Sequence, residues 1–265
     1  MKKFTRMICT LLALVMAAVC ALSFVSCGAG EDDLKTIQKN GKLVVGITEF
    51  EPMDYRDANG KWIGFDADVA TAFAEYLGVD VEFSVIDWDN KAFELKAGTI
   101  DCVWNGMTLT DEVKAAMETS APYFNNAQVV IVKKDIAESI KTIEDCKALK
   151  FAVEKGSAGQ AAATANGLNV TEVKDQATAL TEVMAGTSDA AVIDFLMALS
   201  MTGEGTDYSS LTYTIRLADE VYGVGFRKGS NLAEKLNRFF SEKTADGTLA
   251  KIAEKYGIQD YLIKN

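Results

Sequence analysis

The run Leu43-Val44-Val45-Gly46-Ile47 is continuously apolar and rich in β-branched residues, the pattern of a strand covered on both faces. A turn-rich stretch follows from Asp54 to Gly60, and its Asn59-Gly60 step predicts a hairpin. From Phe65 the apolar period changes to that of a helix. Val69, Phe73, Tyr76 and Leu77 share one face, and Gly78 ends the run. Val81–Ile86 reads as a second strand, Asp89–Ala97 as a helix and Ile100–Trp104 as a third strand. Thr108 and Thr110 suit a helix N-cap ahead of Asp111 and Glu112. After a strand at Gln128–Val132 the pattern restarts. Phe151–Val153 is a strand, Gly156–Gly159 a turn into an Ala-rich helix, Val170–Val173 a strand and Ala177–Ala185 a helix. A strand ending at Asp194, another at Val221–Phe226, and helices over Asn231–Lys243 and Thr248–Tyr256 close the chain.

One phrase occurs twice. Ala97-Gly98-Thr99-Ile100-Asp101 and Ala185-Gly186-Thr187-Ser188-Asp189 each follow a helical stretch and lead into a buried run. Glycine just past a helix takes the left-handed position without a Cβ clash, so each phrase predicts a helix-to-strand joint. Two copies predict two lobes of similar build. The βαβα alternation predicts a mostly parallel sheet in each, with ligands outside the carboxyl ends of the strands.

The first residues have a different pattern. Lys2, Lys3 and Arg6 precede an uncharged apolar run from Met7 to Val25, and Ser26-Cys27-Gly28 follows. This reads as a secretory signal over residues 1–26, with an uncleaved membrane helix as the alternative. A cysteine directly after a small residue resembles a bacterial lipobox, which makes Cys27 the expected lipidation site and membrane anchor. Cleavage there removes three positive and no negative charges, taking the formal charge from −11 to −14. Such an acidic body argues against nucleic acid as a partner. The chain contains no histidine, which excludes histidine-based zinc sites and Ser-His-Asp chemistry. Cys102 and Cys146 are expected to be unpaired buried thiols.

Gly60-Lys61-Trp62-Ile63-Gly64-Phe65-Asp66-Ala67-Asp68 resembles the Gly-x-x-x-Gly-Phe-Asp-x-Asp signature of solute-binding proteins for polar amino acid ABC importers. Similar blocks follow in order: Val85–Asp89, Gly98–Asp101, Gly106–Thr110, Pro122-Tyr123, Lys155-Gly156-Ser157, Gly186–Ala190 and Ala245–Thr248. Together they cover about residues 42–257. The resemblance implies an α/β fold of two Rossmann-like lobes joined by two crossover strands, the class II periplasmic-binding-protein fold, with a ligand cleft between the lobes. It divides the chain into a tether at 27–41, a discontinuous first lobe at 42–130 and 220–265, and a second lobe at 131–219. The crossings fall at Gln128–Val132 and near Arg216–Val221.

The resemblance also implies roles. Phe50 would stack on the ligand, with a wall of the core as its other reading, and Trp88 and Trp104 would line the pocket, with buried packing as the alternative for either. Asn105, Gly106 and Thr108 would donate hydrogen bonds beside a helix N-terminus, and Ser157 would donate from the second lobe. Asp194 would accept the ligand's α-ammonium, with a helix N-cap as its other reading. Glu49, Glu51 and Glu154 add negative charge around the cleft; they are read as solvated charges on the rim, with selection of a cationic or amine-bearing ligand as the alternative. Many members of the family hold the ligand carboxylate with an arginine in Thr-x-Glu-Arg. Here the run is Thr110-Asp111-Glu112-Val113-Lys114, and valine stands in the arginine's place. The function implied is an extracytoplasmic, lipid-anchored binding protein. It would be a monomer that captures an amino acid-like solute for an ABC permease with its ATPase, with no cofactor. An enzyme of dehydratase or murein-cleaving type, and a ligand-sensing lobe working with a separate receptor, are the alternatives.

Overall fold

The structure is a computed structural model that describes residues 32–264. The expected signal segment and Cys27 lie outside the described residues.

Eleven strands are present among these residues: β1 Lys42–Ile47, β2 Tyr55–Arg56, β3 Trp62–Ile63, β4 Asp80–Val85, β5 Cys102–Thr108, β6 Glu118–Thr119, β7 Phe124–Lys133, β8 Lys150–Glu154, β9 Asn169–Val173, β10 Ala190–Asp194 and β11 Leu211–Phe226. Nine form one mixed sheet in the order β4-β1-β5-β11-β7-β10-β8-β9, with β6 paired to β11. β1 is parallel to β4 and β5, and β8 is parallel to β10 and β9. Each of these trios is one lobe's parallel sheet. β7 and β11 join them as a long antiparallel pair, from Leu211 opposite Lys133 to Tyr222 opposite Phe124. The expected lobe boundaries, 130/131 and 219/220, fall inside these two strands. β2 and β3 form the hairpin signalled by Asn59-Gly60, where Gly60 has φ 77°.

The repeated phrase does the same work in both lobes. Gly98 and Gly186 end the helices Lys91–Ala97 and Gln176–Ala185 in the left-handed conformation, at φ 76° and 79°. The following threonine hydroxyls reach back to the last turn, Thr99 to the Glu94 carbonyl and Thr187 to the Glu182 carbonyl. Each aspartate then clamps the neighbouring strand. Val44 N–H donates to Asp101 Oδ2 and Lys150 N–H to Asp189 Oδ2, both at 2.9 Å. In return the backbone N–H of each aspartate donates to the carbonyl of that same neighbour. One five-residue phrase thus ends a helix and sets the register of the next parallel strand, once per lobe.

Three expectations need correction. Residues 33–40 are a helix and not a tether. Asp32 caps it, Gly41 ends it, and Ile37 is buried beneath it. Arg227 at the end of β11 holds the helix by pairing with Asp33 at 3.0 Å, while also reaching Asp101 at 3.2 Å. The strand β5 runs on through Asn105–Thr108, past the expected end at Trp104. Trp104 is fully buried away from the cleft, packed edge-on against Phe73 and Phe240 beneath the first lobe's helices. Strand alternation sends Cys102 and Trp104 to that face and Val103 and Met107 to the other. Cys102 and Cys146 are both free and buried, as expected.

Candidate functional site

The carboxyl ends of β1, β5, β8 and β10 converge on a cavity of about 290 Å³ between the lobes. Phe50, Trp88, Asn105, Gly106, Thr108, Ser157 and Asp194 all line it.

Phe50 forms one wall. A tight turn holds it, in which Phe50 N–H donates to the Asp54 carbonyl at 2.7 Å and the Phe50 carbonyl accepts from Met53 and Asp54. Its ring stands edge-on to Tyr222 at 6.3 Å. The ring lies so close to Gly106 that a Cβ there would sit 2.5 Å from it, and Gly106 also has φ +55°. Trp88 forms the other wall and is buried.

Asn105 and Gly106 are not the free donors expected. Asn105 Oδ1 accepts from Thr48 N–H and Oγ1–H, and its amide donates to the Thr48 carbonyl and to Asp54 Oδ2. The Gly106 N–H donates to Asp66 Oδ2 at 2.7 Å. Both residues are committed to holding the Thr48–Asp54 turn and the helix that opens at Phe65. Burial pushes the Asp66 carboxyl up to about 7. Thr108 and Ser157 differ. The Thr108 hydroxyl has no hydrogen-bond partner among the described residues. Ser157 Oγ accepts from Gln160 N–H at 3.0 Å, which leaves its hydroxyl proton for the cavity.

Asp194 is buried at the end of β10. Its Oδ1 accepts from Tyr222 OH at 2.6 Å, Asn126 Nδ2 at 2.6 Å and Gln128 Nε2 at 3.1 Å, and its Oδ2 accepts from Gln176 Nε2. All four donors are neutral. Desolvation therefore outweighs them and raises the Asp194 carboxyl above its ordinary range. The side chain does not cap the helix Phe195–Met201; Asn126 Oδ1 does so, accepting from Leu196 N–H at 3.1 Å. Asn126 and Gln128 also donate to Glu220 on β11, at 2.6 and 2.9 Å. Burial, and then the Asp194 charge, push Glu220 up to about 8.

Besides Trp104, sequence reasoning misplaced one further residue and missed another. Glu154 is not a rim charge. It is 3% exposed, lines the cavity, and is pushed up to about 8 by burial and by Asp194. Glu49 is exposed beside Arg56, and Glu51 receives a bond from Ser200. The missed residue is Lys91. Its ammonium donates to the Trp88 carbonyl at 3.2 Å and, across the cleft, to the Gly156 carbonyl at 2.9 Å. Lys155 and Asp89 make a second, exposed bridge across the same mouth at 3.0 Å. Burial lowers the Lys91 ammonium from its ordinary value. Lys91→Met should remove one charge-assisted bond made only when the lobes meet. The expected loss in ligand affinity is about tenfold, with the ligand-free melting temperature little changed. Calorimetric titration beside a melting curve checks it.

The raised carboxyls also predict how stability depends on pH. Glu154 and Glu220, both near 8, stay protonated in the fold at pH 6 but ionise in the unfolded chain near 4.5. Their contribution to stability is complete below about 4.5 and is lost as pH rises through about 8. The ligand-free protein should therefore melt higher at pH 5.5 than at pH 8. Glu154→Gln should shrink the difference. Equal melting temperatures at the two pH values would contradict the assignment.

A family model for "Bacterial extracellular solute-binding proteins, family 3" matches residues 43–259. The L-cystine-binding protein TcyJ of Escherichia coli K12 is 30% identical over 250 residues, covering 93% of this chain and 94% of that protein. Among solved structures, an ancestral arginine-binding protein bound to arginine is 38% identical with a TM-score of 0.75, covering 82% of this chain and 98% of that one. The ancestral amino acid-binding protein AncCDT-1, a precursor of cyclohexadienyl dehydratase, is 34% identical with a TM-score of 0.78, covering 84% and 98%. The two-lobed sheet, the crossing strand pair and the cleft agree with these likenesses, and the chain belongs to the bacterial extracellular solute-binding proteins, family 3.

Proposed function

We propose that this chain is the extracytoplasmic substrate-binding component of an ABC importer, capturing a small amino acid between its lobes and delivering it to the permease. In this reading the lobes divide at 42–130 with 220–265, and at 131–219. They hinge about β7 and β11, and the chain is a monomer anchored through a lipid on Cys27.

The observation that carries the ligand class is Asp194. It is a buried carboxylate in the cavity wall, held by four neutral donors, and no cation among the described residues pairs with it. An ammonium entering with the solute supplies the missing charge, in a setting shielded from water where such a bond is strong. Thr108 and Ser157 carry hydroxyl protons that can meet a carboxylate from the two lobes. They stand in for the arginine that Val113 replaces. Phe50 and Trp88 bound the solute on either side. Relatives named as amino acid-binding proteins support this reading over the enzyme and sensor alternatives, while the dehydratase precursor among the structural neighbours keeps the enzyme reading as the second one.

A thermal-shift screen against the twenty amino acids, run on protein stripped of bound solute, tests the proposal. A solute at about a hundred times its Kd stabilises by about 2.7 kcal/mol, a shift of roughly 5–10 °C for a body of this size. No shift with any amino acid would reject the ligand class, and turnover of a bound solute would favour the enzyme reading. Fatty-acid labelling that survives Cys27→Ser would reject the anchor.

A further inference from the structure

The cavity contains a second carboxylate that the binding of one ammonium does not use. Glu154 closes β8 with its side chain in the cavity wall, and its Oε1 is buried without a hydrogen-bond partner. No donor reaches that oxygen, although Gln176 and the Lys91 ammonium both stand near the Glu154 carboxyl. Gln176 gives its amide to Asp194 Oδ2 and accepts from the Asp194 N–H. The Lys91 ammonium donates to the carbonyls of Trp88 and Gly156, and makes no ion pair with Glu154. Lys155, next in sequence, points out to Asp89. A buried carboxyl oxygen left without a partner is costly, and a cation arriving beside Glu154 favours its ionised form. Asp194 differs, because its four neutral donors already hold it and lack only charge. The protein thus offers two acidic acceptors in one enclosed space.

We propose that Glu154 receives a second nitrogen cation of the solute, so that the cleft selects a molecule with two cationic nitrogens over neutral or acidic amino acids. The inference rests on the proposed function for the first cation, on Asp194. The aromatic walls suit the stem between the two charges, and their ring faces also attract cations. A basic amino acid and a simple diamine share this chemistry and differ in the carboxylate.

Calorimetric titration of the purified, solute-stripped protein separates the cases. The probes are lysine, ornithine and arginine, the neutral norleucine and glutamine, and the diamines cadaverine and putrescine. The expected result is that at least one basic amino acid binds tenfold or more tightly than norleucine and glutamine. Glu154→Gln should cancel that advantage, bringing the affinity for the basic amino acid down to that for norleucine and glutamine in the same variant. Diamines binding where amino acids do not would support two cation sites and overturn the amino acid reading. Neutral amino acids binding as tightly as basic ones to wild type would overturn this inference and leave the proposed function standing. An advantage that survives Glu154→Gln would overturn it as well. Binding of no probe would overturn both. The wild-type comparison decides the matter even if the variant folds poorly.

Discussion

Asp194→Ala is expected to weaken amino acid binding by at least about a hundredfold, while the ligand-free protein keeps its fold. The asymmetry follows from what the carboxylate does in each state. In the bound state it is the carboxylate that meets the ligand's ammonium. Removing one partner of a desolvated, hydrogen-bonded pair costs about 3–5 kcal/mol. In the ligand-free state its charge is a burden, because burial outweighs the bonds from Tyr222, Asn126, Gln128 and Gln176. Asp194→Asn is the sharper control. It keeps the volume and most of the hydrogen bonding, so it should melt near wild type and still lose binding. Titration calorimetry of both variants reads the effect, and retained affinity in Asp194→Asn would reject the ammonium role.

The second large effect is expected at Gly156. This residue has φ +71°, and a Cβ added to it would lie 2.7–2.8 Å from Asp89 on the opposite lobe, against both the carboxylate and the backbone. Gly156→Ala therefore carries two penalties of different kinds. The left-handed conformation costs about 1–2 kcal/mol in any state of the protein. The clash with Asp89 arises only when the lobes meet, and overpacking of this kind costs about 1–3 kcal/mol more. Closure also brings the Gly156 carbonyl to Lys91, so that hydrogen bond is misaligned as well. The expectation is a ten- to hundredfold loss of affinity with a modest fall in the ligand-free melting temperature. Affinity equal to wild type would mean that the lobes do not close at this point.

Much of the fold was legible because it is written in local chemistry. The glycine of each Ala-Gly-Thr-x-Asp phrase reads as a helix end, and the apolar run after it as a parallel strand. Gly98, Gly186, β5 and β10 follow that reading. The helix at 33–40 was missed because its composition is polar, although Asp32 and Gly41 are ordinary caps. The site was less legible, because its roles depend on residues distant in sequence. Asp194 is recognisable as an acid at the end of a buried strand. Asn105 looks like a free donor until the fold brings Thr48 and Asp54 to it from more than fifty residues away. Glu154 looks like a rim charge because nothing local tells which strand end points inward. Lys91 looks like an exposed residue at a helix start, and its acceptor on Gly156 lies in the other lobe.

The central claim is that the cleft encloses a solute whose ammonium rests on Asp194. Paired titrations of the stripped protein with its best amino acid and with that compound's des-amino analogue test it most directly. The analogue keeps the carboxylate and side chain and lacks only the ammonium. The account predicts that the amino acid binds with a micromolar or tighter Kd, about −8 kcal/mol or below, and that the analogue loses at least about a hundredfold. Equal affinity for the two compounds would contradict it.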